Sequence, residues 1–150
     1  MNSLIIEDDE NKARNIKAFM VDKYPGLELT IKKSYQSGLK AIHTEDFNVV
    51  LLDMQLPNFD IVEGEDGYRF RQLAGEDILK ELRRKKKKTG IIIVTQFEKF
   101  GEGKEVIDIS DLKDRLRLNY PENYIGTVFY SAKSEIWKEK IAKLISKNIL

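Results

Sequence analysis

The chain has 150 residues, 41% apolar and 34% charged, which reads as one soluble globular domain rather than a disordered segment. With 26 lysines and arginines against 25 aspartates and glutamates the net charge is +1, so no global field draws the chain to nucleic acid or an anionic membrane surface. It contains no cysteine, which excludes disulfides, thiolate metal sites and cysteine catalysis. No apolar run approaches the ~20 residues of a membrane span, and Met1 to Glu7 lacks the basic flank of a signal peptide, so a cytoplasmic location is expected.

Short apolar, β-branched runs alternate with stretches of helical period. Leu4-Ile5-Ile6 reads as a first strand that ends in acids. A helix is expected from Asn11 to Lys23, with Ile16, Phe19 and Met20 facing the core and Pro25-Gly26 ending it. Leu27 to Ile31 alternates with period two, as a less deeply buried edge strand does, and a short helix follows from Ser37 to Glu45. Phe47 to Asp53 is a continuous apolar run of the kind buried on both faces. Then come a helix over Gly75–Lys87, a strand over Ile91–Thr95, a helix over Leu112–Leu118, a strand over Thr127–Tyr130 and a closing helix over Ile136–Lys147. Five strands and five helices in alternation predict a single α/β domain over residues 1–150. The basic run Arg83 to Lys88 falls at a helix C-terminus, where cations complement the helix dipole, and His43 has the position of a surface residue.

In doubly wound sheets the ligand crevice lies beyond the C-terminal ends of the strands. Those ends carry Glu7-Asp8-Asp9, Asp53, Thr95 and, just after the last strand, Lys133. Carboxylates that close repel by roughly 1–4 kcal/mol per pair, and a cation relieves the repulsion. Oxygen donors without histidine or cysteine suit Mg²⁺, which keeps waters and leaves a face open for phosphate oxygens.

These residues carry a resemblance. Ile5-Ile6-Glu7-Asp8-Asp9 resembles the acidic opening of a response regulator receiver domain of the CheY-like, two-component family. Val50-Leu51-Leu52-Asp53-Met54-Gln55-Leu56-Pro57 resembles its phosphoacceptor strand and proline turn, Ile92-Ile93-Val94-Thr95 its switch-hydroxyl strand, and Tyr130-Ser131-Ala132-Lys133 its lysine-bearing strand end. The resemblance implies a flavodoxin-like fold with a five-stranded parallel sheet in the order 2-1-3-4-5 and helices on both faces. It implies phosphorylation of Asp53, Mg²⁺ held by Asp8 directly, by Glu7 through water, by Asp53 and by the Gln55 backbone carbonyl, and phosphoryl oxygens met by Thr95 and Lys133. A switch through Thr95 and Tyr130 follows, with a sensor histidine kinase or phosphotransfer protein as donor and a downstream effector protein or domain as output. A homodimer is compatible with it; a membrane or nucleic-acid contact is not expected, nor is activity beyond handling the chain's own aspartyl phosphate.

The chain departs from that pattern in four places. Ser134 follows Lys133 where the family has a cis proline, and a trans bond is expected because a cis bond before a non-proline costs ~2.5–4 kcal/mol. Gln96 follows Thr95 where the family has a small residue. Segments 58–74 and 97–109 are longer than the family norm; the second carries Val106 and Ile107 besides its aromatics, and the two are expected to pack on each other beside the crevice, burying Tyr68, Phe70, Phe97 and Phe100. These departures speak for an alternative, a receiver-like interaction module that does not switch by phosphorylation, and the intact acids and Asp53 speak against it. An aspartate-nucleophile phosphatase is disfavoured because Gln55 stands where its second aspartate belongs.

Overall fold

A computed structural model describes residues 1–62 and 69–150. Five parallel strands, β1 (Asn2–Ile6), β2 (Glu28–Lys32), β3 (Val49–Leu52), β6 (Gly90–Thr95) and β9 (Tyr124–Phe129), form a sheet in the order β2-β1-β3-β6-β9. This is the 2-1-3-4-5 arrangement expected from the sequence. The central strands are buried on both faces, which is why they read as unbroken apolar runs, while β2 at the edge is only partly buried.

Alternate residues of each strand serve opposite layers. Leu4, Ile6, Val50, Leu52, Ile91 and Ile93 pack under α2 (Tyr35–Thr44), α3 (Ala74–Lys85) and α4 (Ile109–Asn119). Ile5, Val49, Leu51, Ile92 and Val94 pack under α1 (Glu10–Lys23) and α5 (Ile136–Asn148). Local chemistry sets the boundaries. The Asp9 carboxylate accepts from the backbone N–H groups of Asn11 and Lys12, so α1 begins at Glu10. A Ser34–Ser37 capping box starts α2 two residues earlier than its periodicity indicates, and Lys86 in the left-handed conformation (φ 56°) closes α3. β9 begins at Tyr124 rather than Thr127, and Tyr130 follows its last residue.

Both long segments contain structure of their own. β4 (Leu56–Pro57) pairs with β5 (Phe70–Arg71) as a short antiparallel ribbon. Its described part is tied back to the domain where Ser34 donates to Asp60, the Gln36 N–H donates to the Asn58 carbonyl, and the Arg71 guanidinium lies 4.0 Å from the Tyr35 ring centroid. β7 (Lys99–Phe100) pairs with β8 (Ile107–Asp108) around a turn in which Gly101 has φ +100°, where a Cβ would run into the Glu105 carbonyl. α4 then starts at Ile109, three residues before its expected first residue, capped by Asp108. The two ribbons flank a groove lined by Arg69, Phe70, Gln72, Leu73, Gly101, Glu102 and Glu105, and Gln72 donates to Glu102 across it at 3.3 Å. Phe100 is buried and Ile107 packs against the same core, but Phe97 and Val106 remain 41% and 48% exposed and Phe70 40%. The expected burial of Phe70 and Phe97 is therefore not found; the Gln72–Glu102 contact that joins the described parts is polar. The expectation for Tyr68 lies outside the described residues.

α3 and α4 are clamped by a bidentate pair in which Arg115 Nε and Nη2 donate to Glu76 at 3.0 and 2.9 Å, with Glu76 buried. Arg115→Ala leaves that carboxylate without its cation and is expected to cost about 1–3 kcal/mol in urea unfolding. Adding Glu76→Gln to it should recover part of the loss.

Candidate functional site

The C-terminal ends of β1, β3 and β6 lie side by side, because Ile6 pairs with Leu52 and Leu52 with Ile93. Glu7 and Asp53, each one residue beyond its strand, therefore reach the same crevice, and both are almost fully buried (2% and 3% exposed). Asp8 is partly buried beside them, and Asp9 is committed to capping α1.

The cation between these acids is one that the sequence reading did not single out. Lys12, in the first turn of α1, is 2% exposed, and its ammonium lies 3.0 Å from Asp53 Oδ2 and 3.0 Å from Glu7 Oε2. It donates to Asp53 Oδ2, to the Val94 carbonyl at 2.8 Å and to Gln96 Oε1 at 2.9 Å. An ammonium has three N–H groups and all three are used. Glu7 Oε2 consequently receives charge but no hydrogen bond, and it is left as a buried acceptor without a donor. The signal for Lys12 was its spacing: it stands four residues before Ile16 and eight before Met20, on the inward stripe of α1. A lysine at such a position needs an acidic partner inside the fold.

Burial is the main reason that the Glu7 carboxyl is pushed up to about 8; Lys12 opposes the rise and the charges of Asp53 and Asp8 add to it. The Asp8 carboxyl is also raised, first by burial and further by Asp53. Among the described residues no three acids or histidines are grouped as a ready metal cage. The donors nevertheless suit a hard cation. Glu7 Oε2 lacks a donor and Asp53 Oδ1 receives a long 3.5 Å contact from the Gln55 N–H, while Asp8 forms no ion pair among the described residues. Mg²⁺ requires no full protein cage, since it is held by one or two carboxylates, waters and substrate phosphates.

Thr95 is fully buried at the end of β6, its hydroxyl accepting from the Phe97 N–H at 3.2 Å. Its carbonyl accepts from the Tyr130 N–H at 2.8 Å, which couples the two residues through the backbone. Tyr130 is turned inward: its hydroxyl accepts from Asn15 Nδ2 at 2.9 Å, and its ring centroid lies 5.2 Å from that of Trp137 and 5.6 Å from Lys12 Nζ. The Gln55 side chain hydrogen-bonds Gln72, joining the crevice to the first long segment.

Lys133 is not brought to Asp53. It is exposed, makes no ion pair among the described residues, and lines a cleft between α1 and α5 with Asn15, Phe19, Asp22 and Trp137. The Lys133–Ser134 bond is trans, as expected, because the described chain has no cis peptide. Without the proline turn, the backbone N–H groups of Lys133 and Ser134 fold back on Ser131.

Comparison with known proteins identifies the family. Residues 4–112 match the family model of the response regulator receiver domain. The chain is 33% identical over 150 residues to the Detocs response regulatory protein DtcB of Enterobacter cloacae, an alignment covering 98% of this chain and 99% of that one. In structure it resembles a Francisella response regulator receiver domain (TM-score 0.62, 20% identity, 95% and 92% of the two chains). It also resembles the response regulator TrrA of Thermotoga maritima in complex with Mg²⁺ and BeF (TM-score 0.60, 20% identity, 95% and 97%). Among the described residues no helix is long and apolar enough to cross a membrane. A family match over most of the chain, a near full-length relative and the parallel sheet in receiver order together establish that this protein belongs to the response regulator receiver family of two-component signalling.

Proposed function

We propose that the chain accepts a phosphoryl group on Asp53 from a sensor histidine kinase or phosphotransfer protein, and that Mg²⁺ assists. The observation that carries this reading is the Asp53 carboxylate itself. It is buried at the end of a central strand with one oxygen held by an ammonium and the other lightly held, beside two acids of raised affinity for protons. Phosphoryl transfer asks chiefly for positioning and charge neutralisation, and those are what the crevice offers. Asp8, Asp53 and the Gln55 carbonyl would hold the metal, with Glu7 acting through water. When bound, Mg²⁺ would neutralise charge developing on the phosphoryl oxygens. Thr95 would meet a phosphoryl oxygen with its hydroxyl, and its backbone link to Tyr130 would carry the change to the α1–α5 side of the sheet, where Tyr130 packs on Trp137 and where an effector protein or domain would read it.

The reading as an interaction module that does not switch draws support from Tyr130, which is already inward and hydrogen-bonded to Asn15. Labelling separates the two. With Mg²⁺ and acetyl phosphate the protein is expected to gain one alkali-labile phosphoryl mass, and Asp53→Asn to abolish it. Undiminished labelling of Asp53→Asn would assign the acceptor to another acid.

Metal binding should be linked to pH. In the metal-free protein the Glu7 carboxyl is raised from 4.5 to about 8, so the stability tied to its proton is complete at low pH and is lost as pH rises through about 8. A cation competes with that proton. Millimolar Mg²⁺ should therefore raise Tm, by a larger increment near pH ~8.5 than near pH ~6. Glu7→Gln should flatten the pH dependence, and Asp8→Asn should remove most of the Mg²⁺ response.

A further inference from the structure

We propose that Lys12, rather than Lys133, is the ammonium that meets the phosphoryl group on Asp53. This rests on the reading of Asp53 as the acceptor and adds a catalytic residue to it. Three observations place the role on Lys12. Its Nζ is 3.0 Å from Asp53 Oδ2, whereas Lys133 is exposed beside the α1–α5 cleft and pairs with no acid among the described residues. Lys12 also engages Asp53 through Oδ2, which leaves Oδ1, met only by a long 3.5 Å contact from the Gln55 N–H, free to take a metal. Finally, one of its three acceptors is replaceable. Val94 O is fixed backbone in β6, but Gln96 is an exposed side chain whose amide oxygen can swing into solvent and free one N–H.

The transfer step balances without a further reactant. An Asp53 carboxylate oxygen attacks the phosphorus of acetyl phosphate, the bond between phosphorus and the acyl oxygen breaks, and acetate leaves with the electron pair. Charge is conserved: Asp53 gives up its negative charge to the new bond, acetate carries one away, and the phosphoryl oxygens bring their own dianionic charge into the crevice. Lys12 follows that charge: the N–H released by Gln96 turns to an equatorial phosphoryl oxygen, in the place that the Gln96 amide oxygen occupies at rest. Gln96, where the family has a small residue, thus acts as a resting partner for a lysine that enters the crevice from α1.

The test compares wild type, Lys12→Met and Lys133→Ala, following phosphoryl incorporation from acetyl phosphate by intact mass at varied Mg²⁺, with Tm and circular dichroism as controls of folding. The expected result is a loss of roughly 100-fold in the maximal rate for Lys12→Met, the size seen on removing one preorganised donor to developing charge. Its half-saturating Mg²⁺ should be unchanged or lower, and Lys133→Ala should stay within about threefold of wild type. A purely structural lysine would lower Tm without this split between rate and metal affinity. Lys12→Met labelling at the wild-type rate, or Lys133→Ala falling by the larger factor, overturns the assignment while leaving Asp53 as the acceptor. The Lys133→Ala arm decides even if Lys12→Met does not fold. A wild type that takes no label under any Mg²⁺ concentration overturns the acceptor reading, and this proposal with it.

Discussion

A single buried ammonium organises the functional end of this protein. Burying Lys12 without partners would be costly, and the fold offsets the cost with two carboxylates and two neutral oxygens within 3.0 Å. Those acceptors come from β1, β3 and β6, so the side chain ties α1 to the C-terminal edge of the sheet at the point where the strand order turns. The same contact sets the electrostatics. One positive charge shared between Glu7 and Asp53 is too little to satisfy both, and burial pushes the Glu7 carboxyl, whose Oε2 receives no N–H, up to about 8.

The surroundings of the crevice follow from the two long segments. Each contributes to a short antiparallel ribbon at the strand ends, and the described part of the first is anchored to α2 and α3 through Ser34, Gln36 and the Arg71–Asp77 ion pair. Gln72 lies between them, bonded to Gln55 on the crevice side and to Glu102 on the second ribbon. A chain of amides and a carboxylate thus links the turn after Asp53 to the approach to α4. Apolar side chains such as Phe97 and Val106 stay on the outside of this rim.

At the opposite edge, the loss of a proline turn and the displacement of the lysine are compatible with one another. The segment after β9 folds back on Ser131, and Lys133 lies beside the cleft lined by Phe19 and Trp137. Tyr130 stays inward, held by Asn15 and packed on Trp137, with the Lys12 ammonium 5.6 Å from its ring. The aromatic expected to move is therefore in contact with the cation that touches Asp53.

Much of this was legible in the amino-acid order. Unbroken apolar runs identified the buried strands, helical periodicity the five helices, and the acids after β1 and β3 the crevice, because each of these is a short-range pattern imposed by the period of a strand or helix. Helix starts were missed by two or three residues at Tyr35 and Ile109, where serine and aspartate caps rather than apolar spacing decide the boundary. The ribbons at β4–β5 and β7–β8 were read as loops, since two-residue strands carry no periodic signal. Lys12 and Lys133 mark the limit most clearly. Both are lysines near a strand end in the chain, and position in a motif favoured Lys133. Which ammonium reaches Asp53 depends on how α1 is rotated against the sheet and on how the chain turns after Ser131, and those are decided only when distant elements pack together.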